Sequence, residues 1–257
     1  MIRTIKRAVR LFLHPRSPAA VYRRPKRFLT IVSAAIVNQA LRLDGLVFRV
    51  ERVRCDVCGW TGRCFGAHGA ASDDVFEWNV LCLGCGSSVR TRALLNELKA
   101  RVDLDSPKSI AEGGGSRASA EFFRCYPLVE YRNFDPYKDA SSTASAVALP
   151  IADESCDAVL SCHVLEHIPE YPAAVQEMAR ILKPDGIAIV IVPQMRSLPR
   201  SRPTGETQLD GYGHVWEFGD DFPGILESCG LRVLETVDYG SERVNVCARA
   251  VDSASGG

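Results

Sequence analysis

Between Ser109 and Pro193 the chain alternates short apolar runs with segments of helical spacing. Runs of strand length fall at 109–112, 128–135, 144–148, 156–161 and 187–193, with helices expected at 116–125 and 170–182. Strands alternating with helices predict a parallel sheet with helices on both faces. Pro184-Asp185-Gly186 reads as a helix stop and the turn into the following strand. Residues 194–213, rich in Arg, Pro, Ser, Thr and Gly, read as a long loop over the strand ends. A helix at 220–228 and strands at 231–237 and 244–250 complete the pattern, before a disordered tail at 252–257.

The amino-terminal part has a different pattern. Ile2, Ile5, Val9 and Leu13 recur at helical spacing up to His14-Pro15, among nine Lys and Arg residues in the first 27. Such a basic amphipathic helix suits an anionic membrane surface, and a solvated or disordered arm is the alternative. Residues 28–48 are more apolar, but Asn38, Gln39, Arg42 and Asp44 make them too polar for a membrane span. A helix packing on the body, or lying along a membrane, fits better.

Two knuckles follow, Cys55-Asp56-Val57-Cys58-Gly59 and Cys82-Leu83-Gly84-Cys85-Gly86. Each presents two thiolates from one tight turn, and together they predict a closed, structural four-cysteine zinc site. Cys64 and His68 lie between the knuckles but find no vacancy in it, while Trp60, Phe65, Phe76 and Trp78 are the expected small core. Arg90 and Arg92, at the start of the next helix, read either as a solvated helix start or as a grip on an anionic group.

Composition narrows the setting. The 257 residues carry no net charge and are 46% hydrophobic, enough for one large domain and a small one. Neutrality argues against global attraction to nucleic acid, yet every charged side chain before Asp44 is Lys or Arg. Ten cysteines without an amino-terminal apolar leader fit a reducing cytoplasm better than a disulfide framework. The expected organisation is a basic arm (1–50), a zinc ribbon (51–92), an α/β domain (93–251) and the tail.

The kernel of the α/β part is Ser109-Ile110-Ala111-Glu112-Gly113-Gly114-Gly115-Ser116, a strand turning tightly into a helix with backbone N–H groups expected to face a ligand. The next apolar run ends in Asp135, where nucleoside-binding units place an acid for ribose hydroxyls. With Leu149-Pro150, Asp157 to Ser161, Val164-Leu165-Glu166-His167 and Leu182-Lys183-Pro184-Asp185-Gly186, the series resembles the class I S-adenosylmethionine-dependent methyltransferases of the type 11-like branch. Two positions depart from that pattern. Gly114, Ser116 and Ala118 follow Glu112 at the family's glycine spacing, and Ser145 replaces an aspartate. The layout is also similar to a bacterial group with a four-cysteine ribbon before the methyltransferase, through Cys58-Gly59-Trp60, Cys85-Gly86-Ser87, Arg90, Arg92 and the segment from His214-Val215 through Phe222.

The resemblance implies a Rossmann-like seven-stranded sheet and S-adenosylmethionine as cofactor. It implies that Glu112, Gly113, Gly114 and Gly115 hold the methionine part, Asp135 and Pro136 the ribose, and Ser145 and Ala146 the adenine, with Ser161 to His163 lining the methyl-transfer pocket. His163 is a candidate for touching cofactor or substrate, His167 is expected to turn into the fold, and His214 is either a general base or a loop pin.

These readings converge on a cytoplasmic methyltransferase for hydroxyls of a small molecule or glycan, lipid-linked and at the inner membrane face if the arm binds there. An RNA methyltransferase and a non-catalytic binding protein are the rival readings, and the oligomeric state is left open. If the arm binds anionic membranes, full-length protein should float with phosphatidylserine liposomes, less so as salt rises, and protein lacking residues 1–27 should not. Equal flotation of the two would reject a membrane role for the arm.

Overall fold

The computed structural model describes residues 33–42, 53–69, 76–134, 148–204, 213–240 and 242–250, without the side chains of 68, 69 and 76–79. The arm at 1–27, Asp135, Pro136, Ser145, Ala146 and the tail lie outside the described residues. The chain divides into two units, Met1–Ser88 with Asp210–Tyr212, and Val89–Leu209 with Gly213–Gly257.

The first unit contains a helix at 33–42 (α1) and strands β1 (Val53–Arg54), β2 (Thr61–Gly62), β3 (Gly66–Gly69) and β4 (Phe76–Leu81). β1 pairs antiparallel with β2, and β3 with β4. Two of the polar residues that argue against a membrane span, Asn38 and Arg42 on α1, have structural partners. Asn38 donates through Nδ2 to the Ala67 carbonyl (2.8 Å) and accepts from the Ala67 N–H (2.7 Å). Arg42 donates to the Leu83 carbonyl at 2.9 Å. Among the described residues no helix is long and apolar enough to cross a membrane.

The second unit runs α2 (Val89–Arg101), β5 (Lys108–Gly113), α3 (Arg117–Phe123), β6 (Val129–Phe134), β7 (Cys156–Cys162), a 3-10 turn (Leu165–His167), α4 (Tyr171–Ile181), β8 (Leu182–Ile191), β9 (Arg202–Pro203), β10 (Trp216–Glu217), α5 (Phe222–Ser228), β11 (Leu231–Tyr239) and β12 (Glu242–Arg249). Its α/β sheet has six strands among the described residues, in the order β11-β12-β8-β7-β5-β6. β6, β5, β7 and β8 are parallel, and β12 and β11 close the sheet antiparallel, as the pattern of the last two runs predicts. Of the seven strands expected, the short one at 144–148 falls on undescribed residues except Ala148.

β7 and β8 are interior strands, so their side chains are apolar in nearly continuous runs. α2 buries Thr91, Leu94, Leu95 and Leu98, and α4 buries Tyr171, Ala174, Val175 and Met178, each a single stripe at helical spacing. One boundary differs from expectation. β8 begins at Leu182 and runs through Pro184-Asp185-Gly186, because Leu182 pairs with Cys156 before an irregularity restores register at Ile187 and Ala158. Between those two pairings β7 advances two residues and β8 five, so Pro184-Asp185-Gly186 lie in the irregularity and their turn signal shows as a bulge within the strand.

The long loop after β8 is held at several points. β9 pairs with β10, and Ser201 donates from both N–H and hydroxyl to the Asp221 carboxylate (2.8 and 2.6 Å). Thr204 donates its N–H to the Val215 carbonyl and its hydroxyl to the His214 carbonyl, at 3.0 and 2.7 Å. The Val215 N–H donates to the Glu166 carbonyl (2.8 Å), and Trp216 Nε1 to the Pro169 carbonyl (3.1 Å). Tyr171, Phe218 and Phe222 complete the anchor as a buried aromatic row, with successive centroids 5.1 and 4.7 Å apart.

Candidate active site and metal centre

The glycine turn is built around a buried acid. Glu112 ends the buried part of β5 and is 1% exposed. Its two carboxylate oxygens accept from Ser119 Oγ (3.0 Å) on α3 and from the Tyr131 hydroxyl (2.7 Å) on β6. Tyr131 in turn stacks on Phe123, with centroids 4.2 Å apart. Burial pushes the Glu112 carboxyl up to about 7, and the bonds from Tyr131 and Ser119 pull it only partly back. Ser116 caps α3, accepting from the Ser119 N–H at 3.1 Å.

Gly114 has φ +71°, and a Cβ there would stand 2.6 Å from Val164 Cγ2, so both backbone and space require glycine. The N–H groups expected to face a ligand are partly engaged. Gly114 donates to the Phe134 carbonyl (2.9 Å) and Gly115 to Asn133 Oδ1 (2.9 Å), while Asn133 Nδ2 returns a bond to the Gly115 carbonyl (3.2 Å). The turn is therefore a braced wall more than a nest of open donors.

That wall borders a cleft of about 500 Å³, part of it open to solvent. Gly113, Phe134 and Leu149 line it with Leu160, Ser161, Val164, Leu165, Ile168 and Met178. It lies where β5 leads outward to β6 while β7 pairs on the other side, the point where open parallel sheets bind ligands. Gly113 and Ser161 are register partners there. Ser161 is 3% exposed, and its hydroxyl has no hydrogen-bond partner among the described residues. A largely apolar cleft with an unsatisfied hydroxyl and a glycine wall fits a nucleoside-type ligand.

After β7 the chain turns sharply. His163 adopts φ +55°, rare for a residue with a side chain, and its N–H donates to the Ile191 carbonyl at 2.8 Å. Its ring is engaged on both sides. Nδ1 lies 3.2 Å from Arg90 Nη1 and 3.3 Å from Glu166 Oε1, and Nε2 lies 3.1 Å from Glu242 Oε2. Burial pulls its pKa down, but the neighbouring Glu166 and Glu242 carboxylates outweigh it and the net direction is up. Arg90 thus meets a histidine, beyond either role read from the sequence.

Glu166, His167 and His214 converge. Nε2 of each histidine lies 3.9 Å from Glu166 Oε1, and the two rings meet edge-on at 4.7 Å. His167 Nδ1 lies 3.3 Å from the Gly213 carbonyl. His214 therefore has the carboxylate neighbour that no local motif assigns it, supplied from 48 residues earlier in the sequence. Glu166 and Glu242 escaped the sequence reading. The first sits inside the Val-Leu-Glu-His run, where only its polarity amid apolar neighbours marks it.

In the first unit, the sulfurs of Cys55, Cys58, Cys82 and Cys85 all lie within 4.8 Å of one another, with Cys55–Cys85 at 3.9 Å and Cys58–Cys82 at 3.7 Å. Four sulfurs about 2.3 Å from a tetrahedral zinc stand roughly 3.8 Å apart, so the arrangement fits that ion. The knuckles are closed by Gly59 N–H to the Cys55 carbonyl (2.8 Å) and Gly86 N–H to the Cys82 carbonyl (2.9 Å). Gly59 and Gly86 take φ of +71° and +79°, which their turns require. Ser87 Oγ approaches Cys55 and Cys85 Sγ, at 3.5 and 3.2 Å. The bond from Cys82 holds Cys55 down at about 4, while burial raises Cys58, and the Cys55 interaction with burial raises Cys82. Trp60 and Phe65 pack at 6.2 Å beside them.

Comparison with known proteins identifies a domain in this part of the chain. Residues 81–190 match the family described as "Methyltransferase domain". The chain carries a methyltransferase domain. The resemblance drawn from Glu112 through Gly186 is borne out by that match. A probable S-adenosylmethionine-dependent methyltransferase of Mycolicibacterium smegmatis is 25% identical over 172 residues, covering 66% of this chain and 56% of the relative. Methyltransferase GfsG of Streptomyces halstedii is 29% identical over 105 residues, covering 38% and 37%. The chain thus spans about half or less of these relatives' length. Among solved structures, an N1-methyltransferase of Burkholderia thailandensis bound to 1,6-didemethyltoxoflavin and S-adenosylhomocysteine aligns with TM-score 0.47, 14% identity, and coverage of 62% and 78%.

The buried acid of this methyltransferase domain leaves a pH signature. A carboxyl raised from 4.5 to about 7 by folding stabilises fully below pH 4.5, and that contribution is lost as pH rises to about 7. Glu112→Gln has no proton to lose. Relative to wild type, its unfolding free energy should gain up to roughly 3 kcal/mol across that window and then level off. Denaturant melts of both proteins from pH 4.5 to 8 would show it, and parallel curves would remove the raised carboxyl.

Proposed function

We propose that this chain transfers a methyl group from S-adenosylmethionine to a hydroxyl of a small-molecule or glycan acceptor, membrane-proximal if the basic arm docks on lipid. The observation that carries the reading is the cleft at the β5–β7 junction, with the Ser161 hydroxyl unsatisfied beside the glycine wall. When bound, S-adenosylmethionine supplies a methyl already activated on a sulfonium. The protein's share is alignment and, for a hydroxyl, removal of a proton. Gly113, Gly114 and Gly115 would shape the wall for the methionine part, with Glu112 bracing them from behind. Asp135 and Pro136 are assigned to the ribose, and Ser145 and Ala146 to the adenine, by family resemblance. His214, backed by Glu166, belongs to the acceptor side, where the proton must leave.

Two measurements test this reading. Asp135→Ala should weaken S-adenosylhomocysteine binding about tenfold or more in calorimetry, since it removes bonds from a ligand to a charged group. His214→Asn should lower turnover by about two orders of magnitude with cofactor affinity nearly unchanged. No binding of S-adenosylhomocysteine by wild type would leave a non-catalytic binding protein, and wild-type turnover in the histidine variant would make His214 a loop anchor.

For the four-cysteine cluster, the occupant that fits is structural zinc, with all four positions filled by Cys55, Cys58, Cys82 and Cys85 and none open to water. One zinc per chain should copurify and resist brief chelation. Cys82→Ser should lose it and unfold the first unit, as limited proteolysis would show. Folded wild-type protein without zinc would sink the assignment.

A further inference from the structure

Glu166 poses a problem that the fold alone leaves unsolved. Its side chain is 0% exposed, and neither carboxylate oxygen has a hydrogen-bond partner among the described residues. His163 Nδ1 is 3.3 Å from Oε1 but off the line of a hydrogen bond. A buried carboxylate costs several kcal/mol unless cations or donors meet it, and here three imidazoles stand within 4 Å of Oε1 without making a hydrogen bond to it.

The groups that converge on it are metal-ligand types. His167 Nε2 and His214 Nε2 each stand 3.9 Å from the same oxygen, and one ligand atom from each of the three residues falls within a 4.8 Å cluster. Ligand atoms held about 2.0–2.2 Å from one ion lie roughly 3–4 Å apart, so the cluster is near coordinating geometry. The ring of His167 is oriented by the Gly213 carbonyl, which accepts from Nδ1 at 3.3 Å and leaves the lone pair on Nε2. A backbone carbonyl on the far nitrogen is the usual support behind a metal-bound imidazole. His163 stays behind the cluster, since Glu242 and Arg90 occupy its two nitrogens.

We propose that Glu166, His167 and His214 bind a divalent first-row transition-metal ion of the zinc, cobalt or iron(II) class. Two imidazoles beside one carboxylate favour these ions over magnesium or calcium, which prefer all-oxygen sets. Three protein ligands leave at least one position open, unlike the closed four-cysteine cluster. The site belongs to the turn whose Val164, Leu165 and Ile168 line the cleft. An oxygen in the open position would be acidified, a bound water to a pKa of about 7 in favourable sites. This deepens the proposed O-methylation and rests on that reading only for the use of the ion. With the ion in place His214 acts as a ligand, and the proton of a bound hydroxyl leaves to solvent.

The test is a cobalt(II) titration of full-length protein, purified with its cysteine-bound metal and briefly treated with chelator. One further equivalent should bind with visible d–d absorption and no new thiolate-to-cobalt charge-transfer band. Glu166→Gln and His214→Ala should each weaken that binding about a hundredfold or more, since loss of a ligand exceeds the 10–100-fold effect of losing its support. Zinc content at the cysteines should not change. No cobalt uptake by wild type, or undiminished uptake by both variants, would overturn the site. If Glu166→Gln fails to fold, His214→Ala, with its side chain 17% exposed, carries the comparison. Cobalt uptake in a protein that methylates no hydroxyl would support the metal site and refute the functional reading instead.

Discussion

One carboxylate ties the cleft together. Glu112 joins the end of β5 to α3 through Ser119 and to β6 through Tyr131, and it does so in near-complete burial. A buried acid that must keep both partners fixes three elements at once, because losing either bond strands an oxygen where water cannot reach it. The glycine turn inherits its shape from that constraint. Gly114 passes against Val164 with no room for a Cβ, and Gly115 is clasped by Asn133 from the strand that carries Tyr131. The cleft wall is thus rigid before any ligand arrives, which lowers the ordering cost of binding.

Two clusters of metal-ligand residues coexist on one chain, and they differ in chemistry. The cysteine cluster is four soft sulfurs from two turns, with hydrogen bonds spent on closing the knuckles. The Glu166 cluster mixes one carboxylate with two imidazoles, drawn from a 3-10 turn and from the segment that ends the long loop. The first arrangement fits holding a small, thinly cored unit together. The second sets a buried carboxylate beside two imidazoles, a type of cluster found where proteins do chemistry.

Much of the fold was legible because its signals are local. Continuous apolar runs mark β7 and β8 as interior strands, and single stripes on α2 and α4 mark the faces that cover them. The cysteine knuckles are local as well, since each pair and its glycine lie within five residues. Pro184-Asp185-Gly186 form the irregularity between the Leu182 and Ile187 pairings, so their turn signal falls inside β8 and not before it. The candidate site was legible only in pieces. Ser161 could be placed by its position at a strand end, and His214 by its position after a loop. Their meeting partners could not: Glu166 joins His214 across 48 residues, and Glu242 reaches His163 across 79. Such pairings are written in topology, and no spacing rule carries them.

The segment bearing His214 is fastened at both margins, by Thr204 on one side and by Glu166 and Pro169 on the other. The intervening stretch of sequence between Thr204 and Gly213 is thereby decoupled from the placement of the imidazole. Those eight residues can change in length or composition while these bonds keep the imidazole beside its carboxylate. A lineage can diversify there while the histidine stays put.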